Sequence, residues 1–182
     1  EILPSVSSTY SNLHAPQSGG MGQPITGDFT KFDFSTGMTT TDANDWDIAF
    51  RGTTIIVNGG ASTGTNDEPT RTGAAAAGIA NGTFATVVSA DIALTQDSAS
   101  GPAIQSGSGN GWYTYSGPPT FIITPTPGKI LVFKTRDDRY AKVEILSYYK
   151  NAPASPNAFV DESRYYTFNY LYNPNKGNTD LQ

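Results

Sequence analysis

The sequence has no cysteine among its 182 residues. Disulfide staples and thiolate-held metals are therefore excluded. Histidine occurs once, as His14, and glutamate only at Glu1, Glu68, Glu144 and Glu162. That leaves few groups for acid–base chemistry. Charged residues make up 15% of the chain and the net charge is −5, so no basic face awaits nucleic-acid phosphates. No apolar run is long enough to cross a bilayer as a helix. No secretion signal opens the chain, and Glu1-Ile2-Leu3-Pro4 does not read as a natural start.

What is present is glycine (19), proline (12), tyrosine (10) and phenylalanine (9), with 37% hydrophobic residues. Many turn formers with many aromatic and β-branched residues point to an all-β protein with long loops. The length fits one domain. Residues 1–27, rich in Ser, Gly, Pro and Gln, read as an N-terminal arm or loop, and 28–182 as a single β domain.

Alternation marks the strands. "FTKFDFSTG" places Thr30, Phe32 and Phe34 on one face, and "WDIAF" places Trp46, Ile48 and Phe50 on one face. "TTIIVN" follows, then a glycine-rich loop. "GAAAAGIANG" allows a short helical turn, and "TFATVV", "WYTYS" and "TFIIT" read as strands. "KILVFKT" and "YAKVEILSYY", joined by "RDDR", form the clearest hairpin. In "YYTFNYLY", Tyr166, Phe168, Tyr170 and Tyr172 share a face.

The chemical motifs are thin. His14 stands in a Ser- and Pro-rich arm, without a nucleophile elbow anywhere in the chain. Glu144 sits on the polar face of a hairpin, so paired carboxylates for glycoside hydrolysis are not evident. Asp42, Asp45 and Asp47 have spacing that suits calcium, but they lack the loop glycine and distal glutamate of an EF-hand, and capping of local turns is the better reading. "GSGNGW" lacks the Lys-Ser/Thr of a phosphate loop. No catalytic or metal-binding residue is assigned. Binding remains: aromatic strands beside glycine-rich loops suit a concave ligand site. The candidates are Trp112, Tyr113, Tyr115 and Ser116, on a short strand between two loops, with Arg51 as a charged partner.

"FDFSTG", "DWDIAFRGTTIIVNGGASTG", "GWYTYS", "GKILVFKTRDDRYAKVEILSYYKN" and "YYTFNYLYNP" follow one another in the order seen in HmuY-like proteins, from about residue 29 to 174. The resemblance implies a hand-shaped antiparallel β fold. It also implies a surface-exposed or released outer-membrane lipoprotein, anchored by a lipid on a cysteine outside this sequence, that passes haem to an outer-membrane receptor. The family's haem prototype grips iron between two histidines, one before and one just after the strand matched by "GWYTYS". The matching regions here, "ALTQDSASGPAIQSGSGN" and "SGPPTF", hold neither histidine nor methionine, and Met21 and Met38 lie elsewhere. Histidine pairing at those positions is thus excluded. Tyr113 or Tyr115 could replace it if a nearby arginine, Arg51 or Arg71, favoured the phenolate. The expectation is a non-catalytic binder of haem or a related tetrapyrrole with altered or lost iron ligation. The alternative is an interaction module for a glycan or a partner protein on the same scaffold.

Overall fold

Valine, isoleucine and aromatic runs at a period of two produce strands throughout. The computed structural model describes residues 1–182 and contains no helix. Two antiparallel sheets pack face to face. The larger has five strands, in the order β1 (Val6–His14), β13 (Ser163–Asn173), β12 (Tyr140–Tyr149), β11 (Lys129–Lys134) and β8 (Ala76–Asn81). The smaller has four: β5 (Met38–Thr40), β4 (Thr30–Asp33), β6 (Ile48–Arg51) and β7 (Thr54–Val57). Two hairpins stand apart, β2 (Ser18–Gly20) with β3 (Gln23–Thr26), and β9 (Tyr113–Tyr115) with β10 (Ile123–Pro125).

The inner faces meet in one large core. Phe32, Ile48, Phe50, Ile55 and Val57 come from the smaller sheet. Leu131, Phe133, Ala141, Val143 and the Tyr166, Phe168, Tyr170 and Tyr172 row come from the larger. The aromatic rings interlock: Phe32 meets Phe168 edge-on at 5.4 Å, and Phe50 lies 4.7 Å from Tyr166. Such contacts add to the burial itself. Outer faces have smaller clusters: Ile130, Val132 and Leu171 beneath Val87, Ala90 and Leu181, and Phe29, Trp46, Ala49 and Ile56 behind the four-stranded sheet.

Several sequence expectations need revision. Residues 1–27 do not stand off as an arm. β1 extends the large sheet by pairing from Val6↔Tyr172 to His14↔Tyr165, and β2 and β3 form their hairpin. The alanine run is not helical but becomes β8, its small side chains allowing the 92–97 segment to lie close by, with Ala77 N–H donating to the Thr95 carbonyl at 2.8 Å. "TFATVV" folds as a turn, because Thr83 and Thr86 hydroxyls capture the backbone amides of each other. Trp46 does not share a face with Ile48 and Phe50. It precedes β6 and turns to the outer cluster, its indole N–H donating to Ala43 O at 3.1 Å.

The Asn58-Gly59-Gly60 motif now has a reason. The fully buried Asn58 side chain donates to Asn44 O and Trp46 O and accepts from Thr72 and Gly73 N–H, so its amide is satisfied on both sides. Next to it, a side chain on Gly59 would collide with the Ala75 carbonyl. The aspartate group splits between two jobs. Asp42 accepts from Asn44 and Asp45 N–H, a local turn cap that holds its carboxyl below the usual value. Asp47 instead joins the two sheets. It accepts from Phe34 N–H at 2.9 Å and Arg136 N–H at 3.0 Å, and Arg136 Nη1 also reaches Asp33 and Asp47 at 3.0 and 3.1 Å.

Burial pushes the Asp47 carboxyl up to about 6, against the pull of its hydrogen bonds and Arg136. Its folded value thus exceeds that of an unfolded aspartate, about 3.9. The stability it contributes is present at low pH and declines as pH rises from about 4 through 6. Arg136→Leu leaves both carboxylates without their cation. Urea denaturation at pH 7 is expected to show a loss of about 3–5 kcal/mol. The deficit should shrink at pH 5, where Asp47 takes up a proton.

Candidate functional site

Trp112 is a pillar of the core. It is 3% exposed, donates its indole N–H to Thr53 O at 2.9 Å and packs on Tyr166 and Tyr148 at 5.2 and 5.7 Å. Its carbonyl accepts from Thr126 N–H, and the Tyr149 hydroxyl accepts from Ile123 N–H. These bonds seat the β9–β10 hairpin on the end of the large sheet. Burial raises the Tyr148 and Tyr166 phenols well above their ordinary value, so neither offers a phenolate near neutrality.

The hairpin tip, residues 116–122, projects beyond this pillar. Ser116 fastens it. The Ser116 hydroxyl accepts from Ile122 N–H at 2.8 Å and lies 2.7 Å from the Thr120 hydroxyl, while its backbone N–H donates to Ile122 O. Phe121 is held at a φ of 54° by a bond from its N–H to Gly117 O. An aromatic residue in that region is uncommon and needs surrounding structure to hold it there. Facing the tip is the β12–β13 loop. Asn157 organises it, accepting from Phe159 N–H through its side chain and from Val160 and Asp161 N–H through its carbonyl.

Between tip and loop lies a groove of about 350 Å³, walled by Pro119, Thr120, Ile122, Pro156, Ala158 and Phe159 with Ser155 and Asn157. Phe121 and Phe159 meet edge to face at 5.8 Å beside it. They remain 42% and 73% exposed, and Val160 77%. Three large apolar side chains in water at one end of the molecule form a patch of the kind that marks an interaction site.

Of the residues singled out from sequence, Trp112 does not line this groove. Tyr113 is half-buried against Trp112, at 4.9 Å, and Tyr115 is 43% exposed on the hairpin that carries the tip. Ser116 builds the tip. Arg51 is not brought to them. It points to the opposite side of the smaller sheet, over the Phe29 ring at 4.2 Å, and donates to Gly27 O and Asn66 O. Arg71 is also occupied, between Glu68 and Asp97. Neither arginine is free to favour a tyrosinate on the hairpin. Sequence reading missed Phe121, Phe159 and Val160. The available signal was "NAFVD", two bulky apolar residues stranded in a polar, proline-bearing loop.

The donor set decides what iron would find. The groove's lining contains no histidine, methionine, cysteine or tyrosine. His14 is exposed and stacked on Tyr165 at 4.3 Å, and Met21 and Met38 are exposed elsewhere on β-hairpin or strand positions. No group of three or more His, Cys, Asp or Glu side chains could hold a metal ion. The walls do not fit axial ligation of iron.

Glu68, near the Arg51 side of the molecule, gives the clearest acid sensitivity. Burial alone would raise its carboxyl. Hydrogen bonds from the Thr63 and Thr65 hydroxyls and amides outweigh that and hold it at about 2. A depressed carboxyl contributes stability above its unfolded value, about 4.3, and loses it as pH falls toward 2. Melting curves from pH 7 to 2 should therefore drop less steeply below pH 4.5 in Glu68→Gln than in the parent.

Comparisons with known proteins agree on the scaffold. The family model for HmuY protein matches residues 26–170. No curated protein matches the chain. Among solved structures, the apo HmuY analog of Tannerella forsythia superposes with a TM-score of 0.61 at 12% identity, covering 96% of this chain and 100% of that one. A putative lipoprotein from Bacteroides fragilis superposes with a TM-score of 0.52 at 13% identity, covering 94% and 92%. At such identities the likeness speaks for the fold.

Proposed function

Because the chain belongs to the HmuY family, we propose that it is a non-catalytic binding protein whose groove captures a flat, largely apolar ligand, haem or a related tetrapyrrole, by contact with its rings. The observation that carries this reading is the open pair Phe121 and Phe159 beside the groove, left in water at the end of an otherwise well-buried aromatic core. Fully burying a phenylalanine side chain is worth about 1.5–3 kcal/mol, and these two, 42% and 73% exposed, leave part of that unrealised. A ligand that covers them recovers it. Ordered backbone in both walls keeps the entropy cost of binding low.

Contact with the ring faces does not depend on what the ring's centre holds. Metal-free protoporphyrin should therefore bind about as well as haem. The family and fold also support a place on the cell surface as an outer-membrane lipoprotein, with an outer-membrane receptor as the onward partner.

Titration of the protein with oxidised haem and with metal-free protoporphyrin, followed by Soret absorbance and tryptophan fluorescence, tests this. Both ligands are expected to bind stoichiometrically. A double variant, Phe121→Asn with Phe159→Ser, is expected to weaken both by about tenfold or more. Asn tolerates the left-handed φ at 121, so folding is preserved. No binding of either ligand overturns the reading. So does haem binding that survives the double substitution but is lost in Tyr113→Phe or Tyr115→Phe, which would assign the grip to tyrosine ligation.

A further inference from the structure

A larger concavity lies away from the apolar groove, beside β4 and β5 and beneath the 63–69 loop. It encloses about 780 Å³, within the range of small-molecule sites. Its chemistry is the reverse of the first. Nearly all of its lining is polar, with Asp28, Lys31, Asp67 and the threonines Thr39, Thr40 and Thr41 foremost. Phe29 is the single hydrophobic residue, and it is 6% exposed.

The walls are built rather than incidental. Arg51 is 3% exposed and binds both sides together, donating to Gly27 O at 3.0 Å and Asn66 O at 2.6 Å while covering Phe29. Asp67 accepts from Gly27 N–H at 2.8 Å across the same seam, and Asn66 Nδ2 donates to Ile25 O. Behind the loop, Arg71 bridges Glu68 to Asp97, and Asp97 accepts from Val57 N–H in β7. A buried arginine and a buried ion-pair network thus hold two surface loops in one arrangement.

The groups facing the space remain largely unspent. Asp67 uses one carboxylate oxygen on Gly27, and Thr40 accepts from Asp42 N–H with its own proton free. Asp28, Thr39 and Thr41 also line the cleft. Ionised carboxylates only accept, and threonine hydroxyls do both. That combination calls for a ligand dense in hydroxyl groups. Lys31 donates to Asp42 O at 2.9 Å and keeps its charge, but Asp28, Asp67 and Glu68 outnumber it in the lining, which disfavours an anionic ligand.

We propose that this cleft binds a neutral saccharide, with Asp28 and Asp67 accepting from sugar hydroxyls and the Thr40 hydroxyl completing the set. Arg51 acts as a positioning residue beneath it. Trp46 and Phe29 are both buried, so no aromatic platform stacks on the sugar. Affinity then rests on hydrogen bonds and falls in the millimolar range.

Amide chemical shifts of the intact chain can be followed while maltotriose, cellotriose, mannotriose and N,N′-diacetylchitobiose are each added to about 10 mM, with spermidine as a cationic control. At least one saccharide is expected to move resonances of residues 28, 39–41 and 67. Asp28→Asn combined with Asp67→Asn, which keeps an acceptor for Gly27 N–H, should weaken that response about tenfold or more. The groove variant at Phe121 and Phe159 should leave it unchanged. The proposal is overturned if no saccharide perturbs these amides, if the response survives the double substitution, or if spermidine perturbs them more strongly than any sugar.

Discussion

One guanidinium holds the two sheets in register. Arg136 sits in the turn between β11 and β12, yet its partners lie on the other sheet: Asp33 ends β4 and Asp47 immediately precedes β6. Asp47 has only 1% of its side chain exposed, so its charge could not persist there without this partner and the amides of Phe34 and Arg136. The interaction is directional where the surrounding aromatic core is not. Apolar contacts among Phe32, Phe34, Phe133 and Tyr172 carry little direction, whereas the guanidinium–carboxylate contacts fix both distance and angle.

The aromatic residues divide by what surrounds them rather than by type. Trp112 looked from sequence like a ligand contact because it lies between two loops. In the fold, the tyrosines Tyr148 and Tyr166 close around it and the Thr53 carbonyl takes its N–H, so the ring serves as a mount for the hairpin. Phe121 and Phe159 have no such enclosure. The mount and the exposed rings form a single device: a rigid base with apolar tips.

Alternation made much of this legible. The row from Tyr166 to Tyr172, the Ala141–Ile145 face and the hairpin closed by "RDDR" stand where a period of two puts them. The failures share a cause: a neighbour distant in sequence changed the local outcome. Lys142, on the nominally polar face of β12, is 3% exposed because the 83–90 loop covers it and supplies the Phe84 and Val87 carbonyls to its ammonium. β1 has little apolar content of its own and is a strand because β13 offers it a free edge. By sequence, Arg51 reads as a charged partner for a ligand. Its side chain follows Ala49 to the outer face, where the Gly27 and Asn66 carbonyls claim it. Phe159 escaped notice because an isolated apolar pair in a loop carries no periodicity at all.

The absence of iron ligands from the groove is compatible with the proposed ring contact once the energetics are separated. Axial ligation adds strength and metal selectivity at one point, whereas ring contact scales with area and is indifferent to the metal. A groove walled by Pro119, Ile122, Pro156 and Phe159 can offer the second contribution without the first. The scaffold tolerates such a change because its cohesion lies elsewhere, in the Arg136 clamp and the aromatic interlock between the sheets. The tip fastened by Ser116 and the loop organised by Asn157 make few demands on that core. Exposed side chains there that make none of these fastening bonds, such as Phe159 and Val160, can be exchanged with little effect on the core.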